Sequence, residues 1–189
     1  SPPLPMTLVP PTTLAAPVTV RRLRDGDCLV SLTGLLHRAY RPQVEMGLRP
    51  LAARQTPEVT RERAESGECY VATVADGEAD RLVGTILFQE IETAKFPPFF
   101  LHPGVTHFSL FAVDPDHQGR GIGHLLLDAI EARAREMGAA ELACSMAEPD
   151  TGLMRFYLRQ NFRLIEHWQW PYTNYRSAIL SKSLVSASS

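Results

Sequence analysis

The segment "DPDHQGRGIGHLLLDAI", residues 114–130, sets Gly119, Gly121 and Gly123 at alternate positions directly ahead of an apolar helical repeat. Ile122, Leu125, Leu126, Ile130, Ala134 and Met137 recur at the spacing of one helix face, and Gly138 supplies a C-terminal stop. A helix beginning here packs on a sheet and presents its N-terminus to a loop almost free of side chains. The first amides of a helix have no intrahelical acceptor and carry a partial positive charge. Bare backbone lets an anion reach them, so the segment reads as an anion site of the phosphate-binding kind. Each amide bonded to a phosphate oxygen contributes about 1.5–3 kcal/mol, the range for hydrogen bonds to charged groups. The structural alternative is a tight strand-to-helix turn that uses glycine for its own geometry.

Two familiar phosphate motifs do not fit. A P-loop requires Lys and Ser/Thr after its last glycine, where His124 and Leu125 stand. A dinucleotide fingerprint requires a third glycine where Leu126 stands.

The remaining composition narrows the class. A chain of 189 residues with 44% hydrophobic content and a formal charge of −2 fits one domain with an ordinary core. That balance argues against a nucleic-acid partner; Arg21, Arg22 and Arg24 read as a solvated strand edge. No run approaches the roughly 20 apolar residues of a membrane span. Cys28, Cys69 and Cys144 show neither metal-ligand nor redox spacing, and read as buried thiols of a reducing compartment, which implies a cytoplasmic location and no metal. Residues 1–17 hold six of the fifteen prolines and lack the features of a signal peptide; they are expected to form an extended or disordered arm before a domain at 18–189.

Within that domain the period alternates between strand and helix. "VTVRRL" reads as a strand, and Asp25 is expected to cap a helix through "CLVSLTGLLHRAY" that ends near Pro42. Thr56 and Pro57 open a second, polar helix that closes on Gly67. "ECYVATVAD" and "RLVGTILFQEI" flank "GEA" as an antiparallel hairpin. After "TAKFPPFFLHPG", either an apolar lid or an inert connection, come a strand at 105–113, the glycine loop, a helix to Met137, a strand "AELACSM", a helix from about Pro149, and strands "FRLIEHWQW" and "YRSAILSKSL". The fold class is α/β, with a mixed twisted sheet of about seven strands and about four helices.

Two segments together resemble the GNAT superfamily of acyl-CoA-dependent N-acetyltransferases. Gln118-x-x-Gly121-x-Gly123, after "LFAVDPDHQ", is similar to that family's pyrophosphate loop. "GLMRFYLRQNF" resembles its later helix, with Tyr157 and Phe162 on the motif's aromatic positions. Asn161 replaces the usual glycine before Phe162 and tolerates the left-handed conformation that a helix stop needs. Asp150 stands where many members have an asparagine near the pantetheine arm, and Ser145 where some peptide-modifying members carry a glutamate base.

The resemblance implies a single GNAT-like domain that transfers an acetyl group from acetyl-CoA to a primary amine in a ternary complex. It implies a cleft where the strand ending at Val113 splays from the strand at 140–146. Phe111, Ala112 and Val113 would pair with the pantetheine, as an added strand pairs with a sheet edge. Gln118, Gly119, Arg120, Gly121, Ile122, Gly123 and His124 would hold the pyrophosphate. Tyr157 is the implied acid for the leaving thiolate, and His107 a candidate base. Glu90 and the less well placed His102 are alternatives. Tyr40, Glu45, Met46, Trp168, Trp170 and Tyr172 are candidate acceptor walls. The acceptor is a small-molecule or peptide amine, and a homodimer is compatible with the resemblance. A non-catalytic acyl-CoA-binding module or sensor is the competing reading.

Overall fold

The computed structural model describes residues 17–92 and 94–185. The expected arm at 1–17 therefore lies, but for Pro17, outside the described residues. The chain runs β1 (Val18–Arg22), α1 (Leu29–Ala39), α2 (Arg41–Glu45), α3 (Pro57–Ser66), β2 (Glu68–Asp76), β3 (Ala79–Phe88), β4 (Val105–Val113), α4 (Ile122–Glu136), β5 (Glu141–Ala147), α5 (Thr151–Arg159), β6 (Arg163–Trp168) and β7 (Ser177–Ser183). The strands form one seven-stranded sheet in the order β1-β2-β3-β4-β5-β7-β6. All neighbours are antiparallel except β4 and β5. A parallel pair needs a crossover, which α4 supplies.

Local chemistry explains most element ends. Gly77, with φ +65°, and Glu78 make the two-residue turn that brings Asp76 opposite Ala79 in the β2–β3 hairpin. Thr56 caps α3 by accepting from the Val59 amide at 3.3 Å, with Pro57 at the first helical position. Asp25 does not cap α1: the helix starts at Leu29 with Cys28 at its cap, and Asp25 is exposed. Asp27 organises this turn instead, accepting from the Arg24 amide at 2.7 Å and from both terminal nitrogens of Arg21 at 2.8 Å. A bidentate ion pair holds the turn more firmly than a single cap bond. α1 ends at Ala39, close to Pro42 as expected, and the chain continues into α2, whose first turn accepts the proline.

Both faces of the sheet are covered. On one, Ile122, Leu126, Leu127, Ile130 and Ala134 of α4 pack with Phe108, Leu142, Cys144, Met146 and Tyr157. The buried stripe takes Leu127, whereas Leu125 and Met137 are 42% and 48% exposed. A wide α/β packing stripe admits either neighbour of Leu126, and the crossing of α4 over the sheet selects the later one. On the other face Leu32, Leu35 and Leu36 of α1 and Ala64 of α3 cover Val71, Leu82 and Leu87. The link at 98–101 is a packed connection: Phe100, 9% exposed, lies on Ala143 and Ile179.

One irregularity shapes the middle of the sheet. Between Thr85 and Leu87 of β3, two steps face three steps of β4, from Ala112 to Ser109, and Leu110 sits at φ +48°. This is a β-bulge. It places Phe108, Phe111 and Val113 against the α4 face, and turns Leu110 and Ala112 to the α1 face. The parallel ladder from β4 to β5 ends one residue earlier, at Phe108 opposite Cys144, while β5 continues with β7 to Ala147 opposite Ser177.

Candidate active site

Where β4 and β5 part, the sheet opens into a cleft of about 910 Å³. Its walls include Phe111, Ala112 and Val113 of β4, Cys144 to Ala147 of β5, His117 to Gly119 and Gly121 to His124 of the loop and α4, and Phe156 and Tyr157 of α5. Every residue expected to hold the cofactor except Arg120 lines it, as do Tyr157 and His107.

The N-terminus of α4 is built to stay open. Gly121 is the cap residue, at φ +77°, and makes no side-chain cap bond to the first turn. The contrast with α3 and α5 is direct, since Thr56 and Asp150 cap those helices through their side chains. A Cβ at Gly121 would meet open space, so the glycine is required by its backbone conformation. Gly123 differs: a Cβ there would stand 3.2 Å from the Phe111 ring, so this glycine lets α4 approach β4. Beside the loop, buried His117 Nδ1 has no hydrogen-bond partner among the described residues. An uncapped helix, a left-handed glycine and an orphaned buried nitrogen on one cleft fit a polyanionic ligand.

Tyr157 is 3% exposed yet reaches the cleft, packed among Phe108, Phe111, Phe156 and Phe162. Burial, reinforced by the Cys144 thiol beside it, pushes its phenol well above the usual tyrosine range. Burial likewise raises the Cys144 thiol, which keeps it protonated. Behind Tyr157, Asn161 takes the expected left-handed conformation at φ +69°, and the Phe162 amide donates back to the Tyr157 carbonyl at 3.1 Å.

His107 is held as a neutral ring. Its Nε2 donates to the Glu90 carbonyl at 3.0 Å, Phe100 stacks on it at 4.9 Å and 12°, and Phe96 approaches edge-on at 5.0 Å. Burial lowers its pKa from the ordinary 6.5, since the charged form would lose hydration. The tautomer with a proton on Nε2 leaves Nδ1 as the acceptor nitrogen.

Glu90, 7% exposed, is committed elsewhere. Arg63 reaches it through Nε at 2.5 Å and Nη2 at 2.9 Å, and Ser109 donates at 2.5 Å. Asp150 caps α5 by accepting from Leu153, and its other oxygen accepts from Gln43 of α2 at 3.0 Å. Ser145 accepts from the Trp170 indole at 2.8 Å. Tyr40 donates to the Phe111 carbonyl at 3.3 Å, fixing α1 against the stretch expected to pair with pantetheine.

Of the expected acceptor walls, Tyr40, Trp170 and Tyr172 line the cleft. Glu45 and Met46 are exposed outside it, because α2 turns its other side inward, and Trp168 packs beneath with Phe100 and Ile179. His102 is likewise exposed, resting on Phe99. Sequence reasoning missed Arg63, Glu92, Ser109 and Tyr175, which reach the cleft from α3, the link after β3, β4 and the β6–β7 loop. Nothing in their local sequence sets them apart, since Arg63, Glu92 and Tyr175 lie among other polar and charged residues in "TPEVTRERAESG", "QEIETAK" and "PYTNYRS".

A family model, the GNAT acetyltransferase family, matches residues 31–162, well over half of the chain. The chain belongs to the GNAT family. Members of this family are acyl-CoA-dependent N-acetyltransferases. A curated relative, S-(2-succino)cysteine N-acetyltransferase of Bacillus subtilis, is 33% identical over 108 residues; the match takes in 57% of this chain and 59% of that protein's length. The GNAT fold is also evident in solved structures. The ribosomal-protein-S18-alanine N-acetyltransferase of Escherichia coli superposes with a TM-score of 0.63 at 15% identity, covering 91% of this chain and 97% of its own. A GNAT acetyltransferase of Elizabethkingia anophelis with acetyl-CoA bound gives 0.59 at 18%, covering 88% and 97%. The PaiA N-acetyltransferase of Thermoplasma acidophilum in complex with coenzyme A gives 0.65 at 16%, covering 88% and 99%.

Proposed function

We propose that this GNAT protein moves an acetyl group from acetyl-CoA to a primary amine by direct attack in a ternary complex. The observation that carries the reading is continuity: one cleft joins the uncapped α4 N-terminus to Tyr157 and to His107. The amides of Ile122, Gly123 and His124 receive the pyrophosphate, and the backbone of Phe111–Val113 aligns the pantetheine. The amine nitrogen bonds to the thioester carbonyl carbon and the carbon–sulfur bond breaks. The amine's surplus proton passes to His107 Nδ1, directly or through water, while Tyr157 gives its proton to the departing thiolate. Proton return from His107 through solvent restores both groups. The three unpaired cysteines support a reducing, cytoplasmic setting.

The test is coenzyme A release with an amine panel that includes S-(2-succino)cysteine, the acceptor in the relative's name, with acetylated products identified by mass spectrometry. Amine-dependent release with a matching acetamide supports transfer. Tight coenzyme A binding with no acetylation of any amine makes the protein a non-catalytic binding module.

A further inference from the structure

We propose that the acceptor is a carboxylate-free arylalkylamine, a primary amine carried on a short chain from an aromatic ring. This rests on the transferase reading above and names the acceptor class for that same cleft. Aromatic side chains from three parts of the chain converge at one end of the cleft: Phe96 and Phe100 from the link after β3, His107 from β4, and Trp170 and Tyr172 from the β6–β7 loop. They are held in place rather than merely adjacent. Tyr172 donates to Glu92 at 2.9 Å and stacks on Trp170 at 5.7 Å and 20°, Trp170 donates to Ser145, and His107 is pinned between Phe100 and the Glu90 carbonyl. Rings fixed before binding give an apolar acceptor body contact area at little entropic cost.

Charge selects among such bodies. The carboxylates lining the cleft are Glu90, Glu92 and Asp150, and among the described residues Arg63 is the one arginine or lysine in its wall. The Arg63 guanidinium already spends Nε and Nη2 on Glu90 and Nη1 on Gln55 at 2.8 Å. Glu90 and Arg63 offset each other, so an ammonium group entering the cleft is attracted by Glu92 and Asp150 and gives one proton to solvent before it attacks, whereas an acceptor carboxylate meets like charge and no uncommitted arginine or lysine among the described lining residues. The same lining disfavours amino acids and favours a ring that stacks on the aromatic wall. His107 and Ser109 lie six and four residues from Val113 along β4, about 20 and about 13 Å at about 3.3 Å per residue, so the cluster belongs to the acceptor and not to the pyrophosphate.

The experiment compares 2-phenylethylamine, spermidine and glutamate as acceptors for the full chain, reading kcat/KM by coenzyme A release. Acceptor binding is read separately as the rise in Tm that each amine adds in the presence of coenzyme A. The expected result is a kcat/KM for 2-phenylethylamine at least 100-fold above that for glutamate and 10-fold above that for spermidine. Trp170→Ala should raise KM for 2-phenylethylamine about 10-fold with KM for acetyl-CoA unchanged, and Trp170→Phe should restore most of it. Glutamate or spermidine as the preferred acceptor overturns the acceptor class and leaves the transferase reading standing. A Tm rise with 2-phenylethylamine but no acetylation overturns the transferase reading and leaves the cleft's selectivity standing. Neither turnover nor a Tm rise with 2-phenylethylamine overturns the proposal outright.

Discussion

A phenol serves as an acid only while it keeps its proton, and the surroundings of Tyr157 hold it in that state: burial among four aromatic rings raises its pKa well above the tyrosine norm. Tyr157→Phe preserves the packed ring and removes the acid. Turnover should fall about 10²–10⁴-fold with coenzyme A affinity nearly unchanged. Steady-state rates together with calorimetric titration check this, and wild-type turnover in the folded Phe variant would remove Tyr157 from the chemistry. His107 presents the opposite charge problem. Its folded pKa lies below the unfolded value, so the folded state resists protonation. The corresponding stability is present above about pH 6.5 and is lost as pH falls through the depressed folded pKa. His107→Asn should therefore narrow the gap in Tm between pH 7.5 and 5 relative to wild type, which thermal melts across that range will show. If the ring also takes the amine proton, the wild-type rate holds as pH falls to 6.5 and declines only below it. The variant should lose that acid limb along with most of its turnover.

At the scale of elements, the loop and α4 separate two uses of glycine that look alike in the sequence. Gly121 is bare because its φ is +77°, and Gly123 is bare because the Phe111 ring fills the space beside it. Gly121→Val forces a β-branched residue into the left-handed region, at a cost of about 1–2 kcal/mol, and disturbs the first amides of α4. Coenzyme A affinity should drop at least 10-fold with a modest fall in Tm. Gly123→Val instead crowds Phe111, so its main effect should be on stability, about 1–3 kcal/mol as for an overpacked core. Parallel urea melts and calorimetry distinguish the two; equal affinity loss at equal stability would contradict the assignment. The bulge at Leu110 belongs to this scale as well. No glycine or proline marks it, and a strict alternation through 105–113 would have placed Phe108 and Leu110 on one face, whereas the structure parts them.

At the scale of the molecule, the three cysteines are unpaired but not equivalent. Cys28 is exposed at the start of α1, against the expectation of three buried thiols, while Cys69 and Cys144 are 5% and 1% exposed. Burial raises Cys69 to about 11 and Cys144 further, whereas hydrogen bonds from Ser31 lower Cys28. A thiol titration of the native protein should find one fast-reacting group, and three after denaturation. Fast native reaction of two or more would mean that the sheet opens at the cleft far more readily than its packing indicates.

Strand and helix order, the hairpin turn, the capping of α3, the glycine loop and the reversed Asn161 were all legible in the sequence, because each depends on residues within a few positions of one another. Periodicity marks which face is apolar, and turn chemistry marks where the chain reverses. The cleft wall was legible on one continuous segment, from Phe111 to His124, and, through the family resemblance, at Tyr157, His107, Glu90, Tyr40, Trp170 and Tyr172. Tertiary structure alone decided the rest. The Arg63–Glu90 pair joins residues 27 positions apart, Tyr172–Glu92 joins 80, and Gln43–Asp150 joins 107. Such partners meet only after the sheet has ordered its strands and the bulge has opened β4 from β5, and no local propensity encodes which distant charge will arrive. The cleft's chemistry near the α4 N-terminus is thus a property of a segment, and its chemistry at the acceptor end is a property of the packing.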